Sequence, residues 1–196
     1  MKILNQKLVL TGGPSGGKTT MAQAIERTFK NRVTVIPESA SILFSGGFLR
    51  RNYDQAVMIQ QQAIYSVQVL HEKIFEMENH CGKLLVCDRG TLDGLAYWPH
   101  NDKNSFFTTL GTTLENEINR YKWVIHLDTA GAESYDRQNV VRIENHTEAD
   151  NINDNIKECW STHPNRIILP STASFYSKVS QVLQVVEDIL NSMTIE

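Results

Sequence analysis

Five short apolar runs divide the chain, each closed by a proline or a polar residue. They are Lys7 to Thr11, Val33 to Ile36 closed by Pro37, Lys83 to Cys87 closed by Asp88, Trp123 to Leu127 closed by Asp128, and Arg166 to Leu169 closed by Pro170. Runs of this length that are apolar almost throughout fit strands covered on both faces, the signature of a parallel sheet. Between them the apolar period changes from continuous to helical. Met21 to Phe29 reads as a helix. From Asp54 to about His80 a stripe recurs as Ile59, Ala63, Val67, Leu70, Ile74 and Met77, and is expected to face a core. From Ser174 to Asn191 the stripe is Phe175, Val179, Val182, Val186 and Ile189, and a third, Ile152, Ile156 and Trp160, lies in a polar region. Thr112-x-x-Glu115 has the spacing of a capping box opening a short helix. Strands alternating with helices predict an α/β domain with a doubly wound, three-layer architecture. Two segments lack strong patterning, Ser39 to Tyr53 and Gly131 to about Asp150. Both follow strand ends, where ligands collect in open parallel sheets, so both are candidate substrate-facing loops.

Composition narrows the class. At 196 residues the chain suits one domain over 1–196, and a 41% hydrophobic fraction suffices for a core. A net charge of -3 gives no basic excess, so a nucleic-acid partner is not expected. Cys81, Cys87 and Cys159 are odd in number and far apart, with no metal-ligand spacing. Reduced thiols are the reading, with Cys87 filling core space. No apolar run reaches membrane-spanning length and no signal region opens the chain, so a cytoplasmic location is expected.

The first strand runs into Gly12-Gly13-Pro14-Ser15-Gly16-Gly17-Lys18-Thr19-Thr20, which matches the P-loop spacing G-x-x-x-x-G-K-[ST]. Strand, loop and helix fall in register, which a chance glycine-rich turn would not do. Glycines let successive N–H groups turn inward towards phosphate oxygens, and the following helix adds the positive end of its dipole. Lys18 would serve the outer phosphates and the Thr19 hydroxyl a Mg²⁺ ion. The expected ligands are a nucleoside triphosphate, ATP or alternatively GTP, and Mg²⁺.

Four polar residues stand at strand ends: Thr11, Glu38, Asp88 and Asp128. Asp88 is the expected Mg²⁺ orienter, against the alternative of a turn or cap. Arg89 could clamp a phosphate or form a structural ion pair. Glu38 could take a proton from an acceptor hydroxyl or orient a water, against the alternative of a carboxylate at a helix N-terminus. Asp93 is a substrate-positioning or capping residue. Gln61, Tyr65, Gln68 and Glu72 make a polar face on the long helix, either solvated or turned towards the site to read a base or sugar. Arg137 and Arg142 in the second weak segment could close over transferring phosphates, or pair with Asp136, Glu144 and Glu148. Phe44, Phe48, Arg50 and Arg51 could stack a base and hold a phosphate, or tuck under a loop. The six histidines show no ligand spacing.

The P-loop, then Pro37-Glu38-Ser39-Ala40-Ser41, then Asp88-Arg89-Gly90-x-x-Asp93 occur in an order that resembles the NadR-like, AAA-labelled P-loop ATPase/kinase family, which includes the nucleotide-binding domain of translocation-defect proteins. The resemblance extends over the chain to Trp160-x-x-His163-Pro164. Through this group the chain is similar to deoxynucleoside and thymidylate kinases and to the ribosylnicotinamide kinase domain. That implies a five-stranded parallel sheet in the order 2-3-1-4-5 and an arginine-bearing lid, here a lid-like insertion at about 131–162. It also implies Glu38 as base, Asp88 and Arg89 serving metal and phosphate, and Arg137 and Arg142 as lid arginines. The chain departs from the group in Ser39-Ala40 after Glu38 and in a lid poorer in arginine. The expected activity is phosphoryl transfer from ATP to an unidentified small hydroxyl acceptor. The alternative is a nucleotide-dependent regulatory switch acting on a protein partner, although no base-specifying Asn-Lys-x-Asp motif is present.

Overall fold

The computed structural model describes residues 6–14, 16–99, 103–128, 146–170 and 174–193. Its five strands are β1 (Lys7–Thr11), β2 (Val33–Ile36), β3 (Leu84–Asp88), β4 (Trp123–Leu127) and β5 (Arg166–Leu169). All pairings are parallel, in the order β2-β3-β1-β4-β5. The architecture is the expected three-layer doubly wound P-loop fold. β3 is shifted one residue from the expected run, so Asp88 closes the strand inside the sheet instead of stopping it.

The helices are α1 (Lys18–Phe29), α2 (Ser39–Ser45), α3 (Asp54–Glu78), α4 (Lys103–Leu110), α5 (Leu114–Asn119), α6 (His146–Cys159) and α7 (Phe175–Met193). A 3-10 turn over Thr91–Tyr97 follows β3. The first weakly patterned segment is therefore partly ordered as α2, and α1 starts at the P-loop lysine itself. The expected capping box is displaced by one residue. Thr113 caps α5 by accepting from the Asn116 N–H, whereas the Thr112 hydroxyl donates to Glu117.

Alternation along the strands produces two cores. Leu8, Leu10, Leu84, Val86, Ile125 and Leu127 point to the face covered by α1 and α7, where Met21, Ile25, Val182 and Val186 meet them. Val9, Leu85, Cys87 and Val124 point to the other face, against Leu92, Phe106, Ile156 and Trp160. Each such side chain contributes about 1.5–3 kcal/mol by leaving water. Cys87 fills core space as expected, and all three cysteines are unpaired.

One long helix contradicts its pattern. Most of the α3 stripe expected to face a core lies outward, with Ile59, Leu70, Ile74 and Met77 exposed by 58%, 60%, 52% and 68%, while Ala63 and Val67 are half-buried. The buried positions of α3 are Gln60, Gln68 and Glu72. The polar face is turned inward because its groups all find partners there: the Glu72 carboxylate accepts from Lys7, Arg120, Tyr121 and Gln68. No helix among the described residues is long and apolar enough to cross a membrane.

Candidate functional site

The register sets the floor of the site. Leu10 lies beside Asp88, and Thr11 beside His126, so the carboxyl ends of β1, β3 and β4 share one edge. The P-loop crosses that edge closely enough to need glycine. At Gly12, with φ of 129°, an added Cβ would lie 2.0 Å from the Leu127 carbonyl oxygen. Gly17, with φ of 79°, turns the loop into α1. The Gly13 N–H donates to Asn153 Oδ1 at 2.9 Å, and Asn153 Nδ2 donates to Asp128 Oδ1 at 3.1 Å. His126 Nε2 faces the same Asn153 oxygen at 3.0 Å, so that nitrogen carries its proton. Burial lowers the His126 pKa from its ordinary value.

Lys18 Nζ reaches back across the loop and donates to the Gly13 carbonyl at 2.6 Å. Burial lowers its pKa to about 7, and Arg89 beside it pushes the same way. The Thr19 hydroxyl donates to Asp88 Oδ2 at 2.8 Å. The other Asp88 oxygen is buried and has no hydrogen-bond partner among the described residues. Burial, with Glu38 nearby, raises the Asp88 pKa. A hydroxyl next to a carboxylate with a bare buried oxygen fits a divalent cation, which would take its remaining ligands from phosphate and water. The residues present therefore fit Mg²⁺, with Thr19 and Asp88 as the side chains that would hold it.

Arg89 ties the strand ends together. Its Nε donates to Glu38 Oε1, while one Nη donates at 3.2 Å both to Asp93 Oδ2 and to the Gly12 carbonyl. Its backbone is left-handed at φ 81°, a conformation that costs a non-glycine residue about 1–3 kcal/mol and persists only when its surroundings enforce it. Asp93 Oδ1 accepts from the Thr11 hydroxyl at 2.6 Å and from the Trp160 indole at 2.8 Å. Glu38 also accepts from the Ser41 hydroxyl. Burial alone would raise its carboxyl pKa, but Arg89, Ser41 and Lys18 outweigh that and hold it below the ordinary value.

These groups open on a cavity of about 580 Å³ lined by the P-loop, α2, the turn at 91–97 and the inward face of α3. Gln61, Tyr65 and Gln68 line it, so the polar face of the long helix is turned to the site. Tyr65 is tethered at its hydroxyl, which donates to Glu117 at 2.8 Å. Glu72 lies beneath Gln68 and does not line the cavity. Phe44, Arg50 and Arg51 are on the wall, with Arg50 5.2 Å from the Phe44 ring centre, and Phe48 is not. From the P-loop, Pro14, Gly17, Lys18, Thr19 and Thr20 line the cavity, whereas Gly12, Gly13 and Gly16, and Asp88 at the end of β3, do not. Ser15, Arg137 and Arg142 lie outside the described residues. Two contributors escaped the sequence reading, Asn153 on the P-loop and Gln60, which grips the Arg51 backbone from both sides at 2.9 Å. Their only signal was an amide in a polar helix turn.

A model of a family described as an AAA domain matches residues 7–177. The chain belongs to this family. No curated protein matches it significantly by sequence. Among solved structures it is similar to a deoxyadenosine kinase from M. mycoides, determined with bound dATP and with bound dCTP. In each comparison the TM-score is 0.66 and the identity 13%, over 93% of this chain and 100% of the kinase. At that identity the likeness shows the fold. The family and the fold together make this an AAA-family P-loop domain with the fold of that kinase.

Proposed function

We propose that the chain is a Mg²⁺-dependent phosphotransferase of the nucleoside-kinase type, using ATP, with GTP as the alternative donor. One observation carries this reading: Glu38 and Arg89 face the P-loop pair Lys18 and Thr19 across a single cavity of about 580 Å³. A plain NTPase needs room for water. This space falls within the roughly 300–1,000 Å³ typical of small-molecule sites and extends from the P-loop to α2 and α3, which favours a second substrate beside the triphosphate. The P-loop N–H groups and Lys18 bind the triphosphate. When bound, Mg²⁺ would supply charge neutralisation for the phosphates, and Thr19 and Asp88 would hold it. Glu38 is ionised at neutral pH and accepts the proton of the acceptor hydroxyl as that oxygen bonds to the γ-phosphorus and the bond to the β,γ-bridging oxygen breaks, releasing ADP. Arg89 neutralises the group in transfer. Arg137 and Arg142, in the insertion at about 131–162, would add charge from a lid.

The test is turnover of Mg·ATP by the full chain with and without a panel of nucleosides, nucleotides and ribosylnicotinamide. ADP release that depends on one acceptor, with a phosphorylated product in the mass spectrum, is expected. Slow release indifferent to every acceptor would overturn the reading and favour a nucleotide switch.

A further inference from the structure

Gln68 is 3% exposed and joins two residues of the site without touching the P-loop. Its Oε1 accepts from the Ser39 hydroxyl at 2.7 Å, and Ser39 directly follows Glu38. Its Nε2 donates to the Arg89 carbonyl at 3.4 Å and to Glu72 Oε1 at 2.9 Å. The orientation of the amide is forced. A carboxylate and a carbonyl can only accept, so the NH₂ end must face Glu72 and Arg89, and the oxygen must face Ser39.

Glu72 is itself immobilised. It is fully buried, and its second oxygen accepts from Lys7 at 2.9 Å and Arg120 at 2.8 Å. Its first oxygen also accepts from the Tyr121 hydroxyl at 2.7 Å, and that hydroxyl oxygen accepts the Thr91 N–H at 3.0 Å. Burial would raise the Glu72 pKa, but Lys7 and Arg120 outweigh it and keep the carboxylate ionised. A fixed acceptor thus sets the Gln68 amide on one branch and the turn after Arg89 on the other.

We propose that Gln68 is a positioning residue: oriented by Glu72, its side-chain amide ties the hydroxyl of Ser39, next to Glu38, to the backbone carbonyl of Arg89 and so holds the Glu38–Arg89 ion pair in place. The clamp explains how Arg89 is kept in a left-handed conformation. It also explains why α3 turns its polar face inward. The clamp's catalytic importance rests on the function proposed above, but its effect on the ion pair does not.

The experiment therefore reads the ion pair itself. Solvent exchange of the Arg89 Nε–H is measured by ¹⁵N NMR on the full chain, with the signal assigned through Arg89→Lys. Gln68→Leu keeps the bulk and removes both polar ends. It is expected to speed exchange about tenfold or more, as for loss of a hydrogen bond that supports a charged pair. Exchange of the Trp98 indole N–H, which donates to Ser105 away from the clamp, is measured in parallel and expected to be unchanged. Ser39→Ala removes one end of the clamp and is expected to shift exchange in the same direction by less. It stands as the test if Gln68→Leu does not fold. Exchange equal to wild type in the folded variant would overturn the proposal, as would an equal speeding of the Trp98 indole exchange, which would mean general loosening. A wild-type chain that transfers no phosphoryl group would defeat the kinase reading and leave this exchange comparison intact.

Discussion

The two longest helices, α3 and α7, have the same kind of pattern in sequence and opposite fates in the fold. On α7 the apolar stripe goes inward: Val182, Val186, Ile189 and Leu190 join the core under β1, β3 and β4. On α3 most of the apolar stripe goes outward and Gln60, Gln68 and Glu72 are buried. Periodicity states that a helix has two faces. Which face is buried is decided by what waits on the other side. For α7 that is an apolar sheet face. For α3 it is Lys7, Arg120, Tyr121 and the polar strand ends, where burying a carboxylate is tolerable because every lone pair finds a donor.

The comparison can be broken by substitution. Glu72→Ala would leave the buried Lys7 to Glu76 alone and the half-buried Arg120 to Glu117 alone, and would remove the acceptor of Tyr121 and Gln68. A loss of about 3–5 kcal/mol is expected in chemical denaturation. Leu190→Ala, on the buried stripe of α7, is expected to cost about 2–5 kcal/mol. If Glu72→Ala cost less than Leu190→Ala, α3 would not be held by its polar face.

The P-loop lysine sharpens the same point, since burial shapes its charge too. Its folded pKa of about 7 lies below the ordinary 10.5. The cost of the buried ammonium is thus fully present below about pH 7 and is relieved as pH rises towards 10.5, where the unfolded chain binds more protons. Triphosphate restores the charge, so Mg·ATP binding at pH 8 is expected to take up a proton, seen by calorimetry in buffers of different ionisation enthalpy. Affinity should weaken as pH rises above 7. No buffer dependence would show that Lys18 is already charged. The smallest effect is expected on the outward stripe. Leu70→Ala, at a residue 60% exposed, should change stability by less than about 0.5 kcal/mol.

Most of the sheet was legible in the sequence because its strands are apolar on both faces and closed by polar residues. That the strand-end residues Thr11, Glu38, Asp88 and Asp128 share one edge was expected from a parallel sheet, with the strand order supplied by the family resemblance. Gln68 was legible only as part of a polar face that could turn to solvent or to the site, and Asn153 not at all. An amide on a helix says nothing of its partners, and these partners are 29 and 140 residues away, on Ser39 and Gly13. The orientation of α3 was hidden for the same reason: Lys7, Arg120 and Tyr121 make a polar receptor only once folded. Cap position was missed because Thr112 and Thr113 are adjacent and each can accept from an N–H.

The most direct test of the account is Glu38→Gln, assayed for phosphoryl transfer from Mg·ATP to the best acceptor, with nucleotide affinity measured alongside. The account predicts transfer reduced by about 10²-fold or more, with Mg·ATP affinity retained, because Glu38 serves the acceptor and the P-loop serves the donor. Near-normal transfer in that variant would contradict it.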